Sequence, residues 1–373
     1  MKILFAGGGT AGHINPALAV AGYIRSRHPE AQLSYIGTKR GLESKLVPEA
    51  NIDFYTIDVK GFQRKISLSN IKHNISAAKL LITASNQARK LLLELKPDVV
   101  MGTGGYVSGP VLREAHKLGI KCCIHEQNAF AGKANKMLAP DMDAVMLAMP
   151  EAEPYFNLKG KKAIITGNPV RESVINADKQ SARALLGIDD KPMILSFGGS
   201  LGARKINEAA ADIMQWHKAD GKVHHFHATG KYGVELMPQL LRDRGVDINS
   251  PYLHITEYIN NMDVLMAAAD LVICRAGAIT VSELQAQGKP AVLIPSPNVA
   301  ENHQYYNAMT LVKKSAAKLV EEKDLTRDSI VSAVSELIDN PENLEKMSKA
   351  SKMSAILDTN ERIYQVIMGL LAQ

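Results

Sequence analysis

Residues 1–20 read MKILFAGGGTAGHINPALAV, and residues 193–213 read MILSFGGSLGARKINEAAADI. Each stretch opens with a short apolar run, breaks into glycines and continues in residues that suit a helix. A short apolar run bounded by glycine is the pattern of a strand covered on both faces. Glycine lets the following turn bend sharply and approach a ligand closely. A helix that starts there aims unpaired N–H groups and a positive dipole end at whatever sits over the turn, and the simplest guest is a phosphate. One design, met in each half of the chain, predicts two tandem doubly wound α/β units.

The sequence around the two stretches supports this. QLSYIG (32–37), PDVVMGTGG (97–105), KCCIHEQN (121–128) and DAVMLA (143–148) read as further strands between helical segments. The pattern restarts near AIITGNPV (163–170), and HHFHATG (224–230), LHITEYI (253–259), LVICRAGA (271–278) and AVLIPSP (291–297) continue it. Apolar runs alternating with helices argue for parallel sheets. A length of 373 residues suits two domains. The expected division is 1–163 with a C-terminal helix (about 355–373), and 164–354. Ligands of open α/β sheets sit beyond the carboxyl ends of the strands, so two such domains are expected to face each other across a cleft.

Composition narrows the classes. Three cysteines, none in a CxxC pair, exclude a disulfide framework and a zinc ribbon, and a reducing compartment is expected. No apolar run reaches the roughly 18 residues of a membrane span, and the N-terminus does not read as a signal peptide. The net charge is +6, yet residues 1–140 alone hold 19 basic and 9 acidic side chains. Residues 60–90 carry seven basic residues and no acid. Such a field suits an anionic partner. Few aromatics lie nearby to stack on bases, which disfavours nucleic acid.

Four turns offer phosphate seats: Gly7–Gly12, Gly102–Gly105, Gly198–Gly202 and Arg275–Ala278. A nicotinamide enzyme is disfavoured, because LSYIGTKRGLE (33–43) lacks an acidic residue at the strand end for the ribose. No GxxxxGK[ST] is present, so a P-loop is disfavoured too. Asp141 and Asp143 precede a strand and read as its entry turn, not as a metal site. HHFH reads as a strand with polar outer positions.

The ordered motifs GGGTAGHINPALA (7–19), GTGGYVSGP (102–110), HEQNAFAGKANK (125–136), TGNPVR (166–171), FGGSLGARKIN (197–207), CRAGAITVSEL (274–284) and NHQYYNA (302–308) closely resemble the MurG-type N-acetylglucosaminyltransferases of glycosyltransferase family 28. The resemblance implies a GT-B fold. It also implies inverting transfer of GlcNAc from UDP-GlcNAc to the muramic acid 4-hydroxyl of lipid I, forming the lipid II of peptidoglycan synthesis.

It further implies that UDP-GlcNAc meets Thr10, Ala11, Gly12 and Asn128 in the first domain. In the second it meets Arg171, Ser200, Ile259, Ala278, Ile279, Thr280, Val281, Ser282, Glu283, Gln304 and Asn307. Within that set, Glu283 suits the ribose hydroxyls, and the amides of Gln304 and Asn307, three apart on one helix face, suit the sugar hydroxyls. Gly8, Gly9, Gly104, Gly105 and Tyr106 are expected to hold the acceptor diphosphate. His13 is the expected general base, with His125 and Glu126 as rivals and a structural or acceptor-contact role for His13 as the alternative. Lys65, Lys72, Ile75 and Lys79 are expected to touch an anionic membrane surface, which makes the chain peripheral on the cytoplasmic face of the bacterial membrane. No cofactor or metal is required on this reading, although a divalent cation effect is compatible with it, and other cell-wall synthesis proteins are expected partners. Ala11 stands where many relatives carry glycine. A glycolipid galactosyltransferase, a UDP-GlcNAc epimerase and a non-catalytic nucleotide-sugar-binding protein are the rival readings.

Overall fold

The computed structural model describes residues 1–59, 68–218 and 221–372, with the backbone alone for 68–79. The chain divides into two units, Met1–Pro169 with Asp358–Gln373, and Val170–Leu357.

Unit 1 holds seven strands: β1 (Lys2–Gly7), β2 (Gln32–Gly37), β3 (Asp53–Thr56), β4 (Val99–Gly104), β5 (Lys121–Glu126), β6 (Ala144–Leu147) and β7 (Ile164–Ile165). They form one sheet in the order β3-β2-β1-β4-β5-β6-β7. Every pairing is parallel; Ile3 lies opposite both Leu33 of β2 and Val99 of β4. The order reverses between β1 and β4, the switch point at which doubly wound sheets bind ligands. Helices cover both faces. The helix Ala11–Arg27 buries Ile14, Ala17, Val20, Ala21 and Ile24, the apolar stripe that a 3.6-residue period gives one face. Against it packs the C-terminal helix Thr359–Leu371, through Ile363, Ile367 and Leu370. Its outer edge is held where Tyr23 Oη donates to Glu361 and Arg27 pairs with Glu361 at 2.8 Å.

Unit 2 repeats the plan with β8 (Met193–Phe197), β9 (His224–Ala228), β10 (Leu253–Thr256), β11 (Leu271–Cys274), β12 (Ala291–Leu293) and β13 (Ala317–Leu319). Their order is β10-β9-β8-β11-β12-β13, so the reversal falls between β8 and β11. Its pairings are likewise parallel.

Two expectations need correction. AIITGNPV does not open the second unit: the first unit runs to Pro169, the far end of the expected boundary region Gly160–Pro169. Ile164 and Ile165 close the first sheet, Thr166 N donates to the Leu147 carbonyl at 2.9 Å, and Asn168 Nδ2 to the Gln127 carbonyl at 3.0 Å. HHFH has no polar outer side: β9 is an interior strand, and His224, His225 and His227 are all buried. They tolerate this through hydrogen bonds, since buried polar groups need partners. Ser196 Oγ lies 2.8 Å from both His225 Nε2 and His227 Nδ1, His217 Nε2 lies 3.3 Å from His225 Nδ1, and His227 Nε2 lies 3.1 Å from Asn207 Oδ1.

Among the described residues no helix is long and apolar enough to cross a membrane. All three cysteines are buried and unpaired with one another.

Candidate functional site

At the switch point of unit 1 the turns after β1 and β4 press together. Gly105 adopts φ +77, and a Cβ there would lie 2.4 Å from the Gly8 carbonyl oxygen, so only glycine allows this approach. The helices that follow, Ala11–Arg27 and Gly105–Lys117, start without a side-chain cap. Gly9, exposed with φ +89, lies under the Tyr106 ring. Burial raises the Tyr106 phenol above its ordinary pKa, with the nearby Glu43 carboxylate adding to the shift. Thr10 and Ala11 are exposed and Gly12 half-buried. Ala11 is the first helical residue and needs no positive φ, so alanine leaves the turn unchanged.

Beneath the turn sits Glu43, fully buried, a residue the sequence did not single out. Its Oε1 accepts from Thr38 N (3.0 Å) and Thr38 Oγ1 (2.7 Å), and its Oε2 accepts from Gly9 N (3.3 Å).

His13 lies in the first turn of the helix after β1, half-buried, with Nδ1 3.1 Å from Gln127 Oε1. Thr103 Oγ1 donates to its carbonyl at 2.6 Å. Its two rivals are unsuited to act as bases. Glu126, 1% exposed, accepts four N–H donors: Asn128 N (3.0 Å) and Asn128 Nδ2 (3.1 Å) on Oε1, Gly132 N (3.0 Å) and Asn135 Nδ2 (2.9 Å) on Oε2. A carboxylate with both oxygens so occupied anchors the loop 127–135 and has no free lone pair aimed at a substrate. The expectation of Glu126 as a catalytic group is corrected accordingly. His125 is completely buried, with Nε2 on the Gly167 carbonyl (2.9 Å) and Nδ1 on Gln127 Nε2 (3.1 Å). Burial lowers its pKa, and neither ring nitrogen is open.

The switch point of unit 2 joins the turns after β8 and β11. A Cβ on Gly230, in the turn after β9, would lie 2.0 Å from Gly202 N, so the turns after β8 and β9 meet backbone to backbone beside the switch point. Ser200 is exposed on the first turn. The helices Arg204–Trp216 and Ala278–Gln287 start without a side-chain cap. Ala278, Ile279, Thr280, Val281 and Ser282 form the opening of the second of these helices, with Val281 buried against the core. Glu283 follows, 9% exposed, its Oε1 3.4 Å from Arg171 Nη2. Burial raises the Glu283 pKa and the Arg171 guanidinium opposes the shift. Ile259 is buried beyond β10.

Gln304 is half-buried at the start of the helix His303–Val312, and its Oε1 accepts from Ser296 N at 2.9 Å. Asn307 departs from expectation. It is completely buried, and its Nδ2 donates to the Ala276 carbonyl at 3.1 Å. It therefore braces the Arg275–Gly277 turn from within and does not share an open face with Gln304.

Lys65 lies outside the described residues, as do the side chains of Lys72, Ile75 and Lys79. The helix Leu68–Leu95 that carries the latter three positions buries Ala84, Ala88 and Leu92 and exposes Ile82 at 68%. Positions 72, 75, 79 and 82 follow at helical intervals of three and four, so Ile82 continues their row. Asp141 and Asp143 behave as an entry turn: Asp143 Oδ2 accepts from Cys122 N at 2.8 Å and Asp141 pairs with Lys159 at 2.8 Å. Among the described residues no three His, Cys, Asp or Glu side chains group to hold a metal ion.

Comparison with known proteins follows the two-unit division. Residues 3–147 match the glycosyltransferase family 28 N-terminal domain and residues 193–363 the glycosyltransferase family 28 C-terminal domain. The chain is 43% identical over 372 residues to a UDP-N-acetylglucosamine--N-acetylmuramyl-(pentapeptide) pyrophosphoryl-undecaprenol N-acetylglucosamine transferase of Acetivibrio thermocellus, covering 100% of this chain and 98% of that one. It is 44% identical over 375 residues to the transferase of the same name from Ruminiclostridium cellulolyticum, covering both chains completely. The crystal structure of Acinetobacter baumannii MurG superposes with a TM-score of 0.80 at 30% identity, over 99% of each chain.

Proposed function

The chain belongs to glycosyltransferase family 28, and from that premise we infer its reaction. It is a UDP-GlcNAc-dependent hexosyltransferase that transfers GlcNAc to lipid I and forms lipid II, with inversion at the anomeric carbon. Both substrates carry a diphosphate. The observation that carries the reading is that each unit has its own switch point, flanked by glycine turns and by two helix starts without side-chain caps. Such ends bind phosphate oxygens through backbone N–H groups.

On this reading unit 1 takes the acceptor. Gly8, Gly9, Gly104 and Gly105 cradle the lipid I diphosphate, with Tyr106 over the turn, while Thr10, Ala11, Gly12 and Asn128 meet the donor sugar. Unit 2 takes UDP. The helix start at Ala278–Ser282 and the Ser200 hydroxyl face its diphosphate, Glu283 accepts from the ribose hydroxyls, Arg171 and Ile259 lie by the uracil, and Gln304 offers its amide to the sugar. Asn307 acts one step back, by fixing the turn before Ala278.

Chemistry is then a single in-line displacement. His13 takes the proton of the muramic acid 4-hydroxyl as that oxygen attacks the anomeric carbon. The bond to the β-phosphate oxygen breaks, and the charge that develops on UDP meets the helix N-terminus in place before the reaction starts. The protein works as a peripheral enzyme on the cytoplasmic face of the membrane, with the Leu68–Leu95 helix against the anionic surface.

The test is transfer of labelled GlcNAc from UDP-GlcNAc to a short-chain lipid I analogue, with UDP release followed in parallel. Transfer that depends on the analogue is expected. UDP release equal with and without the analogue, and no labelled disaccharide, would refute the acceptor assignment.

A further inference from the structure

We propose that Gln127 holds the His13 proton on Nδ1 and so leaves Nε2 as the basic atom. Gln127 is then a positioning residue of the transfer reaction. The inference rests on the reading of His13 as the general base.

The hydrogen bonds around Gln127 allow one assignment only. Its amide nitrogen lies 2.9 Å from the His125 carbonyl oxygen, which can only accept. A flipped amide would set two acceptors against each other, so the NH2 end faces His125. Its second hydrogen points to His125 Nδ1 at 3.1 Å. That ring nitrogen must accept, because the other one, Nε2, lies 2.9 Å from the Gly167 carbonyl and donates to it. The ring is completely buried, and burial holds it neutral. The donors are therefore fixed from Gly167 back to Gln127.

What remains of Gln127 is Oε1, an acceptor, 3.1 Å from His13 Nδ1. That nitrogen must carry the hydrogen. His13 Nε2 has no hydrogen-bond partner among the described residues, and the ring is half-buried. The His13 backbone is held independently of Gln127, and the ring has room beside Gly104. Thr103 Oγ1 holds the His13 carbonyl at 2.6 Å, and Gly104, at φ +109, leaves room that a Cβ 3.0 Å from the ring would take away. A free imidazole favours the proton on Nε2, the form that cannot take a proton there. The partner of one ring nitrogen decides which nitrogen is basic, and Gln127 performs that task here without a charge.

The experiment is long-range 1H–15N correlation on the full chain with 15N-labelled histidine, recorded above pH 7.5, with His13 signals assigned by their loss in His13→Gln. The expected wild-type spectrum shows His13 protonated on Nδ1 with an unprotonated Nε2. Gln127→Met keeps the side-chain length and removes both arms. It should move the His13 proton to Nε2 and lower kcat roughly 100-fold, the low end of what a general base supplies, with KM for UDP-GlcNAc within about twofold. A wild-type His13 carrying its proton on Nε2 overturns the proposal without any variant, as does an unchanged tautomer in Gln127→Met. A tautomer that moves while kcat stays constant keeps Gln127 as the lock and overturns His13 as the base.

Discussion

Glu283 keeps a carboxylate at 9% exposure beside one guanidinium, and that Arg171 side chain is itself 58% exposed. The pairing at 3.4 Å is long for a charge-assisted bond, and burial pushes the carboxyl pKa up. An incompletely satisfied buried carboxylate gains most from two hydroxyl donors, the arrangement a ribose offers. Glu283→Ala should weaken UDP binding by calorimetry roughly 10- to 100-fold, as one or two hydrogen bonds to a charged group are worth. The loss should vanish with 2′,3′-dideoxy-UDP. An equal loss with both nucleotides would place Glu283 elsewhere than on the ribose. The position of Glu283 was legible, because it stands on the helix after a glycine turn. The depth of Asn307 was not. Spacing placed it with Gln304 on one face, but spacing does not say that the face dips under the Ala276 carbonyl.

At the scale of elements, the glycine turns were readable because glycine recurs at successive strand ends, where close packing and backbone reach both call for it. What props them was not. Glu43 sits in an unremarkable GLESK stretch, and only folding brings its carboxylate under Gly9 and Thr38. Glu43→Gln is nearly isosteric. Its carbonyl can keep both Thr38 donors, which turns the amide NH2 against the Gly9 N–H, donor to donor. The turn should loosen, raising KM for a lipid I analogue about tenfold while KM for UDP-GlcNAc stays within twofold. A rise in both, together with a lowered Tm, would mean that Glu43 serves the fold alone. Strand β9 shows the opposite limit. Residue type suggested polar outer positions, whereas both faces are covered and Ser196, His217 and Asn207 supply the partners of His225 and His227. The edge strands β3 and β13, short and partly exposed, carried no run strong enough to see. Burial has a measurable consequence in β9. It lowers the His227 pKa from 6.5 to about 4 and that of His225 well below its ordinary value. The unfolded chain therefore binds more protons between these values. The stabilisation is complete above about pH 7 and is lost as pH falls through 6.5 toward 4. At pH 5 His227 alone should cost on the order of 2 kcal/mol. Urea midpoints measured from pH 7.5 to 5.0 should fall steadily; a flat series would contradict the buried neutral chain.

For the whole molecule the informative quantity is where the charge lies. A net +6 hides a surplus of ten positive charges in residues 1–140, so the remainder is acidic overall. An enzyme whose acceptor is fixed in a membrane gains from a field that brings one unit to the surface. The Leu68–Leu95 helix buries Ala84, Ala88 and Leu92 in its own unit and leaves Ile82 exposed on the continuation of the 72–75–79 row, which mixes basic and apolar positions. Each basic residue near an anionic surface is worth about 1 kcal/mol. Replacing Lys65, Lys72 and Lys79 together by alanine should then lower partitioning onto phosphatidylglycerol vesicles roughly 100-fold, with UDP affinity unchanged. Salt separates the two kinds of contact. Raising the ionic strength to about 0.5 M shortens the screening length to a few ångströms, so wild type and the triple variant should converge. Ile82→Ser should stay weaker than wild type at both salt concentrations, because burial of an apolar side chain is not screened. If sedimentation of the triple variant matches wild type at low salt, the attraction lies elsewhere among residues 1–140 and the helix row is not the membrane face.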